Sequence, residues 1–198
     1  MVSLFVAWRS KETAGWGPVV RLDYEGVSYR FFYLQGARKL AGFGPFPGMD
    51  KLEQVYESEK LFPIFANRLL SKARREYDAF LQWSGFDPAQ PPEPIAILGV
   101  TEGIRQTDAI EVFPCPGPYQ ERHYGNKFFL HGIRWLDCHE QERIQDLKPG
   151  ETLQPEPEPE NQSDTNAVAV YTSDGLKVGY VPRYFARDVR ALLDSGGG

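Results

Sequence analysis

The stretch Asn166-Ala167-Val168-Ala169-Val170-Tyr171-Thr172-Ser173-Asp174-Gly175-Leu176-Lys177-Val178-Gly179-Tyr180-Val181-Pro182 decides how the second half of this chain folds. Ala167–Tyr171 and Lys177–Val181 are short runs rich in β-branched and aromatic residues, as strands are. Ser173-Asp174-Gly175 between them holds residue types that accept turn geometry, so the two runs form a hairpin. Pro182 suits the first turn of a helix, and Phe185, Val189 and Leu192 then face a core. Arg183, Arg187 and Arg190 recur at i, i+4, i+7 on another face, a spacing that marks a solvated face more often than a phosphate rail.

Working outward, Lys148-Pro149-Gly150 is a turn, and Phe128–Trp135 reads as a strand followed by a polar stretch to Leu147. Glu156, Glu158 and Glu160 alternate with Pro155, Pro157 and Pro159, a pattern that suits an exposed polyproline segment. The sharpest break in composition is Pro114-Cys115-Pro116-Gly117-Pro118, which sets the domains at residues 1–118 and 119–198. In the first domain Leu4–Trp8, Val19–Asp23 and Val27–Tyr33 read as antiparallel strands, with Gly26 in a turn. Gly36–Gly48 reads as a loop. Ser58 is an N-cap for a helix through Phe65, with Pro63 in its first turns. Ser71 starts a second helix that carries Tyr77, Phe80 and Leu81 on one face and stops at Gly85. Asp87–Pro94 is an extended connector, and Ile95–Val100 and Ile110–Phe113 read as strands. The class is α+β.

Composition limits the functions open to such a chain. Its 198 residues are 41% hydrophobic and 25% charged, enough for a packed core, while 19 Gly and 16 Pro favour turns. No apolar window of about 18 residues occurs, which excludes a membrane-spanning helix. The N-terminus lacks the basic start and apolar stretch of a signal peptide. Two cysteines, Cys115 and Cys138, cannot staple a fold of this size, so a reducing, cytoplasmic setting is expected. Residues 1–127 hold 15 Lys/Arg and 15 Asp/Glu; residues 128–198 hold 7 against 12. An acidic half cannot coat DNA nonspecifically, because that affinity comes from many phosphate contacts. A small end-binding pocket fits better than a duplex-tracking groove.

Catalytic chemistry finds little support. Gly42-Phe43-Gly44 lacks the Gly-Lys-Ser/Thr that completes a phosphate loop, and no kinase catalytic run occurs. Cys115, His123, His131, Cys138 and His139 do not show the paired spacing of zinc ligands. A nucleophile pair of Cys138 with His123 or His131 requires the fold to bring them together. The expectation is no catalytic residue, no metal and no cofactor.

Four blocks then carry a resemblance: His131-Gly132-Ile133-Arg134-Trp135, Pro157-Glu158-Pro159-Glu160-Asn161, Asp164-Thr165-Asn166-Ala167-Val168, and Val178-Gly179-Tyr180-Val181-Pro182-Arg183. In this order they resemble the HIRAN domain over residues 126–198. The resemblance implies a small OB-like β-barrel with a C-terminal helix. HIRAN modules occur in DNA-repair and chromatin-remodelling proteins and stand alone in bacteria, and the best understood ones capture the 3′-hydroxyl end of single-stranded DNA. On that pattern Arg134 holds phosphate, Trp135 takes the aromatic position and Asp164 accepts from the 3′-hydroxyl. Tyr180 walls the pocket, while Asn161 and Asn166 shape the loop. Ser163 stands where end-binding relatives carry a stacking aromatic. Arg183 and Arg187 complete the candidate DNA-binding set.

Phe31-Phe32-Tyr33, Tyr56, Ser58 and Leu61-Phe62-Pro63-Ile64-Phe65-Ala66-Asn67-Arg68-Leu69-Leu70 resemble the small N-terminal subdomain of HipA-type toxin kinases. That resemblance implies a regulatory or docking module without phosphotransfer. The combined expectation is a bacterial, noncatalytic single-stranded DNA 3′-end binder. The rival is a protein–protein adaptor docking a partner through the first half. A metal-dependent hydrolase or nuclease ranks third. The bland reading of Asp164 and Asn166 is side-chain-to-backbone bonding in a turn, and of Trp135 a place in the core.

Overall fold

A computed structural model describes residues 2–11, 16–105, 107–115, 125 and 127–195. The chain forms two compact units that meet between Lys127 and Phe128. The boundary read after Pro118 lies outside the described residues.

The first unit runs β1 (Val2–Arg9), β2 (Trp16–Tyr24), β3 (Tyr29–Tyr33), α1 (Gly36–Lys39), β4 (Tyr56–Ser58), α2 (Pro63–Ala66), α3 (Tyr77–Trp83), α4 (Pro94–Thr101) and β5 (Ile110–Pro114). Its strands make one antiparallel sheet in the order β4-β3-β2-β1-β5. Leu4 and Val6 of β1, Val20 and Leu22 of β2, Phe31 of β3 and Val112 of β5 are buried together, the expected consequence of period-two alternation.

Several details differ from the sequence reading. Gly36–Gly48, read as a loop, opens with the short helix α1. Ile95–Val100 is helix, not strand: Pro94 pre-sets φ at the first helical position, and Ile95, Ile97, Leu98 and Gly99 are all buried. A short run that is apolar on every side carries no period to separate the two structures. Ser58 is not a cap but pairs with Tyr29 at the end of β4, and the helix waits for Pro63. The next helix begins at Tyr77 rather than Ser71.

The second unit opens with a 3-10 turn at Ile133–Trp135 and continues through α5 (Cys138–Gln145), β6 (Gln154–Pro157), β7 (Val168–Tyr171), β8 (Lys177–Tyr180) and α6 (Arg183–Asp194). The hairpin and last helix lie where the sequence puts them. Among the described residues the sheet is open, three antiparallel strands in the order β6-β7-β8, so the expected OB-like barrel does not close. Phe128–Trp135, read as a strand, contributes a single bridge, His131 to Tyr180, and Gly132 at φ +74° then turns the chain into the 3-10 turn.

The polar stretch before Leu147 contains the helix α5. Asp137 accepts the Glu140 N–H at 2.8 Å, and the Glu140 carboxylate accepts the Asp137 N–H at 3.1 Å. This reciprocal cap satisfies two otherwise orphaned donors. The Pro155–Pro157 segment is a strand too, but an edge strand, where a missing N–H costs no ladder bond. Phe185 sits in the core with Val168, Val170, Val178, Val181 and Ala186, and Val189 and Leu193 pack against them. Among the described residues no helix is long and apolar enough to cross a membrane.

Candidate nucleic-acid interface

The site is built on the loop between β6 and β7. The Asn161 carboxamide oxygen accepts the N–H groups of Ser163 and Asp164 at 3.0 and 3.2 Å, and its amide donates to Glu158 at 2.6 Å. Asp164 Oδ1 in turn accepts the Asn166 N–H at 2.9 Å. These bonds hold the chain in successive turns without a regular ladder. Helix α6 clamps the loop from outside. Arg183 Nε donates to Asp164 Oδ2 at 3.0 Å, Arg183 Nη2 to the Ser163 carbonyl at 2.8 Å, and Arg190 to the Thr165 carbonyl at 2.5 Å.

Two charge pairs set the electrostatics. Burial pushes the Asp164 carboxyl up, but the Asn166 N–H and the Arg183 guanidinium outweigh it and hold the group below its ordinary value. Across the sheet, Glu158 accepts from Lys177 Nζ at 2.7 Å and from the Tyr180 hydroxyl at 3.0 Å. Burial likewise pushes Glu158 up, and the bonds from Lys177, Asn161 and Tyr180 bring it below the usual range. Burial pulls Lys177 down, but its bonds to Glu158 and Tyr180 dominate and raise it. Its ammonium also lies 5.0 Å from the centroid of the Tyr180 ring.

Backbone fills the space beside that ring. A Cβ on Gly132 would come within 2.8 Å of Tyr180 Cδ2, and one on Gly179 within 2.9 Å of the His131 carbonyl oxygen. Both positions have positive φ, +74° and +148°, so glycine is required twice over. The bare backbone lets His131 exchange both of its bonds with Tyr180, at 2.9 and 3.0 Å.

The result is a cavity of about 510 Å³ in which Trp135, Asn161, Ser163, Asp164, Tyr180 and Arg183 converge with His131 and Gly132. Trp135 is 76% exposed and therefore not a core residue. Three candidates lie outside the lining. Arg134 sits on the exposed 3-10 turn with its guanidinium 4.8 Å from the Trp135 ring centroid. Asn166 braces Asp164. Arg187 is exposed one turn beyond Arg183. Glu158, Lys177 and the two glycines are residues the sequence reading did not single out for the site; a glycine inside a strand, as at Gly179, signals close backbone approach.

Chemically, the cavity offers an indole and a phenol ring, a carboxylate with acceptor capacity remaining, and a guanidinium. His123 lies outside the described residues, and His131 and Cys138 belong to separate elements. Among the described residues no cluster of three His, Cys, Asp or Glu side chains is arranged to hold a metal.

An open, part-aromatic pocket with convergent polar groups has the geometry of a ligand-binding or active site. Residues 126–198 match the HIRAN domain, and every residue that lines the cavity lies within that segment. A crystal structure of a protein from Lactobacillus plantarum aligns at 31% identity over 34% of this chain and 64% of that one, with a TM-score of 0.32. The aligned segment thus falls short of two thirds of that protein's length. No curated protein matches the chain.

Proposed function

We propose that the second unit is a noncatalytic module that binds single-stranded DNA by its 3′-hydroxyl end. The observation that carries this reading is the convergence of Trp135, Asp164, Tyr180 and Arg183 on one cavity. A terminal base stacks on an aromatic ring, a contact worth roughly 1–3 kcal/mol. The 3′-hydroxyl donates to Asp164, whose Oδ2 accepts one bond, from Arg183, and as a carboxylate oxygen has a further acceptor site. Arg183 keeps one terminal nitrogen for the adjoining phosphodiester, and the exposed Arg134 extends the phosphate contact outward. Ser163 supplies no ring, so Trp135 and Tyr180 carry the stacking.

The Asp164–Arg183 pair qualifies the selectivity. A 3′-phosphate loses the donated hydrogen bond, yet Arg183 offsets part of its repulsion from Asp164. Hydrogen bonds to charged groups are worth roughly 1.5–3 kcal/mol, so the preference for a free hydroxyl is about tenfold or somewhat more. The test is titration of one short oligonucleotide with a 3′-hydroxyl and its 3′-phosphate twin. Equal affinity, or none for either, defeats the end-reading model. The first unit, with its HipA-like blocks, is a docking element in this scheme, and its cytoplasmic, bacterial setting belongs to the same proposal.

A further inference from the structure

The first unit has a cavity of its own, about 500 Å³, between residues 67–74, Phe80 and residues 101–105. Three arginines line it, Arg68, Arg74 and Arg105, and no carboxylate does. Arg68 is a strut: its side chain is 2% exposed and donates to the Ile64 and Gly103 carbonyls and, at 2.5 Å, to Asp108. Arg105 spends one terminal nitrogen on the Asn67 carbonyl. Arg74 is exposed and has no side-chain hydrogen bond or ion pair among the described residues. Leu70, Phe80 and Ile104 supply apolar surface, and Ile104 is 52% exposed.

The chain turns at this edge of the cavity: Glu102, at φ +60°, ends α4 in the left-handed conformation common at helix C-termini, and Gly103 follows at +54°. A neighbouring cavity of about 280 Å³ shares Ile104 and Arg105 and adds Arg9 and Lys11. Its carboxylates are engaged, Asp108 by Arg68 and Glu111 by the Trp16 indole N–H at 3.1 Å. Cationic side chains thus continue from one cavity to the next through Arg105.

We infer that this cavity is a nucleotide-phosphate site, with phosphate between Arg74 and Arg105 and a base against Phe80 and Ile104. Planar guanidinium groups suit phosphate oxygens, and an aromatic ring beside them suits a base better than a peptide side chain. The inference does not rest on end recognition by the second unit. The shared chemistry is a nucleoside phosphate, held either as a free nucleotide or within a strand.

Two probes separate these sources: adenosine monophosphate, and a dodecathymidylate ending in a 3′-phosphate. The blocked end withholds the hydroxyl proposed for the second unit. Full-length Arg74→Glu, where the exposed side chain makes no hydrogen bond or ion pair among the described residues, should bind the responding probe at least about tenfold more weakly, with Arg74→Lys keeping most affinity. Arg105→Ala gives a second reading. Loss for the mononucleotide assigns a free nucleotide, and loss for the oligonucleotide alone assigns a strand. The inference is overturned if neither probe binds, if binding ignores Arg74, if Arg183→Ala alone abolishes it, or if only a phosphoserine peptide binds.

Discussion

The two cavities are nearly equal in volume, about 510 and 500 Å³, but opposite in how they handle charge. In the second unit the cation that lines the cavity, Arg183, has a carboxylate partner in Asp164, and nearby Lys177 has Glu158. In the first unit Arg74 stands without one among the described residues. Paired charges leave a weak field, so recognition there depends on stacking and on which atom donates to which. Unpaired guanidinium groups answer to negative charge itself. Equal volumes therefore imply unequal selectivity and unequal sensitivity to salt.

The comparison breaks most completely if the second cavity is removed. Phe185→Ala takes out a ring 2% exposed, and truncation of a buried Phe costs roughly 3–5 kcal/mol. Hydrogen exchange should lose protection in β7, β8 and α6. End binding should vanish with it. Gly132→Ala is the sharper cut: it combines a positive φ with a 2.8 Å approach to Tyr180, and strain of this kind costs roughly 1–3 kcal/mol. The fold should survive at reduced melting temperature while oligonucleotide affinity falls.

Asp164→Ala should erase the hydroxyl-over-phosphate preference, a change of about tenfold in the affinity ratio, whereas Arg134→Ala weakens both oligonucleotides alike. Salt titration supplies a finer contrast. On single strands each phosphate contact adds about −0.7 to the slope of log K against log salt. Removing Arg183 should flatten end binding by about that amount, and Arg74→Glu should leave this slope unchanged. A steep slope lost with Arg74 would place the strand on the wrong unit.

The smallest effect is on acid stability. Asp164 is held below the ordinary carboxylate value in the folded chain. Its contribution is therefore complete above about pH 4 and is lost as pH falls through the depressed folded value. The melting temperature of Asp164→Asn should accordingly depend less on pH below 4 than that of the wild type. Alkylation offers a separate check, because burial pushes the Cys115 thiol up to about 11 while Cys138 is exposed. Iodoacetamide at neutral pH should label Cys138 first.

How much of this was legible depended on whether a signal was local. Ala167–Val181 announced its hairpin because strand runs and a turn agree over a short span. The Asp137–Glu140 cap was equally local, an Asp-x-x-Glu pattern, and could have revealed α5. Ile95–Val100 could not be read, since burial on all sides erases the period. At the site, Asn161, Ser163 and Asp164 were named through the HIRAN resemblance, and one loop holds all three. Glu158 and Lys177 were not, because their contact crosses from the end of β6 to β8 and depends on the strand order. Trp135 shows the limit in another way: an indole suits core and surface alike, and only the Gly132 turn puts it outside.

The most direct test is a ¹H–¹⁵N correlation spectrum of the full chain titrated with a short thymidylate bearing a 3′-hydroxyl. The account predicts perturbation of the Trp135 indole N–H, the Asn161 side-chain amide and the backbone amides of Ser163 and Asp164. Perturbation confined to residues of the first unit, or none at saturating oligonucleotide, would contradict it.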